Sequence, residues 1–79
     1  MKIIKIDRGN IQIEIQLHIL RIQGEAMLPK RENTLSEYVI YKNSLTWLHT
    51  ENPPVINKEE LFSFLRKELF TRNMLLVIE

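Results

Sequence analysis

The side chains able to do chemistry in this chain are few and scattered. The two histidines, His18 and His49, lie far apart in sequence, both in turn-like stretches. A catalytic imidazole needs a neighbour that orients it, and nothing in the sequence pairs either one. His18 reads as a solvated residue facing outward at a bend. Cysteine is absent, which removes disulfides, thiolate nucleophiles and thiolate metal sites. Two glycines, Gly9 and Gly24, are too few for a phosphate cradle, and neither HExxH, GxSxG nor a zinc-ligand spacing occurs. Glu25, beside Gly24 at a strand end, is the one carboxylate in a suggestive place. A single carboxylate is not an acid–base pair, so a structural hydrogen bond is its plainer role. The residues point to a chain that is not an enzyme and carries no cofactor and no metal. A binding module is the natural class for it.

The elements that position these residues follow from length and periodicity. Seventy-nine residues make one domain, 1–79, near the lower end of what folds alone. The net charge of +1 is too small a bias to argue for nucleic acid or a membrane surface. The apolar runs are too short for a spanning helix, and the opening MKIIKID alternates with charge, unlike a signal peptide. The expectation is a soluble cytoplasmic protein.

Lys2 to Asp7 reads as a strand with Ile4 and Ile6 on one face. Asp7-Arg8-Gly9-Asn10 follows as a hairpin in which Gly9 and Asn10 tolerate positive φ. Ile11 to Gln16 has the cleanest period of two, with Ile11, Ile13 and Ile15 toward the core. A single strand from Ile11 to Gln23 would exceed the usual length of about 3–10 residues. The chain is therefore expected to turn at Gln16 to His18, after which Leu20 and Ile22 point inward. Gly24 to Pro29 ends that strand, and Lys30 to Glu37 is a charged, exposed loop. Tyr38 to Lys42 is the fourth strand. Leu45 to His49 continues it or forms a short irregular segment.

After Pro53-Pro54, Asn57 starts the only amphipathic helix. Glu60 completes a capping-box pattern and Ile56 with Leu61 a hydrophobic staple. Leu61, Phe62, Leu65 and Leu69 share one stripe, Phe64 flanks it, Phe70 lies nearly opposite Leu61, and Asn73 suits the C-cap. Met74 to Ile78 is nearly all apolar, which predicts a strand inside the sheet. The fold class is α+β: an antiparallel sheet in ββββαβ order, with one helix packed across one face.

Three stretches taken together resemble a family of small bacterial immunity proteins encoded beside polymorphic or contact-dependent inhibition toxins. They are MKIIKIDRGNIQIEI at the start, IQGEA at Ile22 to Ala26, and VIYKNSL at Val39 to Leu45 followed by an acidic helix. The resemblance runs along most of the chain. It departs from the family pattern at Gln16-Leu17-His18, where a glycine turn is usual, and in the longer loop from Lys30 to Glu37. It implies an antitoxin that binds the C-terminal domain of a cognate toxin in the cytoplasm and blocks it by occlusion. It implies no nucleic-acid or membrane partner, and a monomer or weak dimer when free. Such toxins are often nucleases and their inhibitors often acidic, a version that a net charge of +1 does not favour.

The candidate partner-binding residues are Lys30, Arg31, Glu32 and Glu37 in the loop, Glu25 beside it, and Tyr41, Lys42 and Trp47 on the adjoining strand region. The bland alternatives are a solvated loop and, for Tyr41 and Trp47, core-edge packing. A different class, a small nucleic-acid-binding or regulatory protein-interaction domain, draws on Lys42, Lys58, Arg66, Lys67 and Arg72. Glu59, Glu60 and Glu68 interrupt that basic set. A third is a subunit that dimerises through an open sheet edge.

Overall fold

A computed structural model describes residues 1–29 and 34–79. Its elements are β1 (Lys2–Ile6), β2 (Asn10–Ile15), β3 (His18–Ala26), β4 (Ser36–Ile40), β5 (Thr46–Leu48), α1 (Lys58–Thr71) and β6 (Met74–Ile78). The α+β expectation holds: six strands form one sheet and the helix covers one face of it. Ile11, Ile13 and Ile15 of β2, Leu20 and Ile22 of β3, Tyr38 and Ile40 of β4, and Leu61, Leu65 and Leu69 of α1 are all buried in one cluster. The period-two and period-3.6 stripes of the sequence thus meet in a single core.

The two hairpins exchange the roles that the sequence suggested. No glycine has positive φ. The β1–β2 turn is closed instead by Asp7, whose Oδ1 accepts the backbone N–H groups of Gly9 and Asn10, each at 2.9 Å. Those donors, Gly9 first, hold the Asp7 carboxyl below its ordinary range. At the β2–β3 turn, Ile15 pairs with His18, leaving a two-residue loop. Gln16 and Leu17 both have positive φ there, 50° and 67°. That is the backbone of a type I′ turn, which favours Asn-Gly and costs other residues about 1–2 kcal/mol each. His18 is the first residue of β3 and not part of the bend. Its ring meets Trp47 edge-on, with centroids 6.2 Å apart.

The sheet runs β1-β2-β3-β4-β6, with β5 paired to β3 off this path. Four pairings are antiparallel, but β4 and β6 are parallel, from Ser36↔Met74 to Ile40↔Ile78. The sheet is therefore mixed and not wholly antiparallel. The crossover through α1 returns the chain in the direction of β4. The expectation that Met74–Ile78 lies inside the sheet is also corrected, since among the described residues β6 pairs only with β4 and forms an edge. Met74, Leu76 and Ile78 pack on the core, whereas Leu75 is 45% exposed. An all-apolar run therefore came from two half-covered faces, which periodicity does not separate from full burial.

Three boundaries move for local reasons. β1 contains an irregularity between Ile3 and Lys5 that shifts its phase, so Ile3 and Ile6 face the core and Ile4 is exposed. Thr46–Leu48 is a strand in its own right, lying beside Ile19–Arg21 of β3. β4 begins at Ser36, taking Glu37 out of the loop.

The helix begins after Asn57, where the N-cap reading placed it. Asn57 Oδ1 accepts from the N–H of Glu59 (2.9 Å) and Glu60 (3.2 Å), and Ile56 packs on the core. At the other end the C-cap is Arg72 and not Asn73, which follows it with φ 60° and donates its N–H to Phe70 O at 3.0 Å. Arg72 donates to Glu68 O at 3.0 Å and Glu68 Oε2 at 3.2 Å. Phe70, nearly opposite Leu61 on the helix, is 61% exposed.

Candidate functional site

α1 covers one face of the sheet, and among the described residues the side chains of the other, open face are half-buried or exposed. On β4 the side chains alternate, so Tyr38 and Ile40 enter the core while Glu37, Val39 and then Tyr41 take the open side. Register extends this into rows across three strands. Glu25 of β3 lies opposite Val39, and Val39 opposite Val77 of β6. In the next row Met27 N–H donates to Glu37 O at 2.9 Å, and Glu37 lies opposite Leu75. The product is an apolar strip of Val39, Leu75 and Val77, flanked by the carboxylates of Glu25 and Glu37 and the Tyr41 phenol.

Tyr41 donates to Glu25 Oε2 at 3.4 Å. Its pKa is raised, first by partial burial and then by the Glu25 carboxylate. Beside this pair the face dips into a shallow polar depression lined by Gly9, Asn10, Arg21, Gln23, Gly24 and Tyr41. Asn10 Oδ1 is buried there without a hydrogen-bond partner among the described residues.

The strand ends that carry Glu25 and Glu37 are fixed by Gly24. Its N–H donates to Gly9 O at 2.9 Å on one side, and Gly24 pairs with Ile40 of β4 on the other. The Tyr38 ring crosses directly over Gly24. A Cβ placed there would collide with Val39 O and would lie 2.7 Å from Tyr38 Cε1. Passing over the glycine lets the Tyr38 hydroxyl donate to Asp7 O at 2.7 Å, which ties β4 to the β1–β2 turn across β3. Burial, and then the nearby Asp7 charge, push Tyr38 up to about 12.

The structure brings Glu25, Glu37 and Tyr41 together on the open face. Trp47 stands apart: it lies opposite Leu20 and packs on the helix-covered side. Lys42 is exposed where the chain leaves β4, and its N–H donates to Glu79 O at 2.8 Å. Lys30, Arg31 and Glu32 lie outside the described residues. Sequence reasoning missed Val39, Leu75 and Val77 as surface residues. It also missed Gly24 and Tyr38 as the joint that holds the site. A glycine within β-type sequence is itself a signal of close backbone approach.

Among the described residues, no cluster of three or more His, Cys, Asp or Glu could hold a metal ion. No helix among them is long and apolar enough to cross a membrane. The arrangement offers shape, apolar area and fixed charge. A family model described as Immunity protein 74 matches residues 3–74. Neither a curated protein nor a solved structure matches the chain.

Proposed function

The chain belongs to the immunity protein 74 family, and from that premise we propose that it neutralises a cognate toxin domain by binding and occluding it. The family match over residues 3–74 carries this reading. The toxin is the C-terminal domain of a polymorphic or contact-dependent inhibition protein, met in the cytoplasm. The contact surface is the open face of β3, β4 and β6, where Glu25, Glu37 and Tyr41 frame Val39, Leu75 and Val77. An apolar centre inside a polar rim is how specific protein interfaces are built. Lys42 extends that rim, and Lys30, Arg31 and Glu32 are further contacts in this reading. Trp47 contributes as a core-edge residue. Catalysis by this chain plays no part, and free in solution it is a monomer or weak dimer.

The test is co-expression with the toxin encoded by the neighbouring gene. Cells producing both proteins grow, and the two co-purify; continued killing in the presence of folded protein rejects the proposal. A Val39→Glu change places a third carboxylate in the apolar strip and is expected to weaken toxin binding at least tenfold. Val39 points away from the core but is half-buried and stands opposite Glu25, so like-charge repulsion should also lower the thermal midpoint, by up to about 8 °C. Calorimetric titration with the toxin domain and a thermal melt separate the two effects.

Among the described residues, acidic side chains interrupt the basic set on the helix. Arg72 is engaged with Glu68, at 3.2 Å between side chains, and Glu59 and Glu60 occupy the first turn of the same helix.

A further inference from the structure

We propose that Leu17, at the tip of the β2–β3 hairpin, is an anchor that inserts into an apolar recess of the toxin; this rests on the toxin-binding reading above. Leu17 has φ 67°, in the left-handed region that its side chain disfavours, and is 90% exposed. The fold therefore gains neither backbone ease nor burial from a leucine at this position. Asparagine or glycine would satisfy the same turn without the strain. Strained residues are kept where the surroundings hold them for a task, and an outlier of this kind points to one.

The surroundings do hold this one. Ile15↔His18 closes the turn, and the edge-on contact of His18 with Trp47 braces it from β5. His49, which follows β5, also has positive φ, at 54°. Of the four positive-φ residues among those described, three thus lie at this end of the molecule. The fourth, Asn73, is accounted for by the end of the helix. From Ile15 to Leu20 the hairpin carries no Asp, Glu, Lys or Arg. A protruding, uncharged tip with one aliphatic side chain fits a concave, apolar recess about the size of a leucine. It offers no counter-charge for nucleic acid or for an acidic surface. The tip lies roughly 27 Å along β3 from Glu25, within the width of one standard interface. The same partner can therefore meet both the tip and the open face.

Leu17→Gly separates fold from function because its two effects have opposite signs. The thermal midpoint should rise by roughly 4–16 °C as the strain is relieved. Affinity for the toxin domain of the neighbouring gene should fall roughly ten- to hundredfold with loss of the buried leucine. Leu17→Asn, which keeps the turn and removes the apolar group, should weaken binding to the same degree even if glycine loosens the hairpin. Wild-type affinity in both variants, with the wild-type protein binding, overturns the anchor and leaves the toxin-binding reading standing. Failure of the wild-type protein to bind the toxin overturns both. If the variants lose only self-association, measured by sedimentation, the tip meets a second copy of the chain and the anchor is overturned.

Discussion

Gly24→Ala is expected to destabilise the protein by about 3 kcal/mol, at the upper end of what overpacking a well-filled interior costs. For a chain of this length that corresponds to a fall in thermal midpoint of roughly 12–24 °C. The added methyl meets Val39 O, which is backbone and can retreat only if β4 separates from β3. It also meets the Tyr38 ring, 2.7 Å away at Cε1. The ring in turn cannot shift without losing its hydroxyl contact with Asp7 O. One methyl thus acts on the β3–β4 pairing, the core packing of Tyr38 and the tie to the β1–β2 turn together. Because Glu25 follows Gly24 and Val39 follows Tyr38, the same change should disturb the open face in whatever fraction stays folded. A denaturation midpoint equal to that of the wild type would show that the strands have slack at this joint and refute the account.

The second large effect appears at high pH. Tyr38 is wholly buried, and its phenol titrates at about 12 instead of 10.0. The folded state holds the proton more tightly than the unfolded state, so this contribution to stability is intact below pH 10. It is lost as pH rises from 10 through 12 and approaches about 2.7 kcal/mol, two pKa units at 1.36 kcal/mol each. Tyr38→Phe removes both the titration and the hydrogen bond to Asp7 O, and the latter is worth about 1 kcal/mol at neutral pH. The two stability curves should therefore cross at roughly pH 11. Below the crossing the wild type is the more stable, and above pH 12 the phenylalanine variant leads by roughly 1–2 kcal/mol. The other ionisable groups are common to both proteins and drop out of the difference. Urea melts of the pair between pH 8 and 12 give the measurement, and parallel curves without a crossing would reject it.

Much of the architecture was legible because the sequence is locally consistent. The Ile11-Gln12-Ile13-Glu14-Ile15 alternation, the Asn57 cap and the Leu61, Leu65, Leu69 stripe each have a local cause, and each is where the residues alone placed it. What could not be read there depends on partners distant in the chain. Nothing within Met74–Ile78 says that it pairs with β4, or that the two run parallel. Nor does Gly24 by itself announce that the ring of Tyr38 will lie across it. Positive φ was assigned to Gly9 and Asn10 on residue type, but Asp7 closed that turn another way, and the left-handed backbone fell on Gln16 and Leu17. Of the candidate contacts, Glu25, Glu37 and Tyr41 share a face only once β3 and β4 are in register. Trp47 went to the other side because β5 pairs with β3 and does not continue β4.

β3 is hydrogen-bonded along both of its edges. β2 and then the backbone of Gly9 and Arg8 line one side, while β5, Ser44 Oγ, the Tyr41 N–H and β4 follow one another along the other. Among the described residues, β1, β5 and β6 each pair with a strand along one edge alone. Amide exchange with deuterated water should therefore grade the molecule from its centre outward. The amides of β3 should open only with global unfolding, and those of β6 through smaller, cheaper fluctuations. That contrast makes β6 the natural reporter of a bound partner. A protein seated on the open face would slow exchange at Leu75 and Val77, where there is protection still to be gained. β3 would change little, being already at the ceiling that the stability of the whole fold sets.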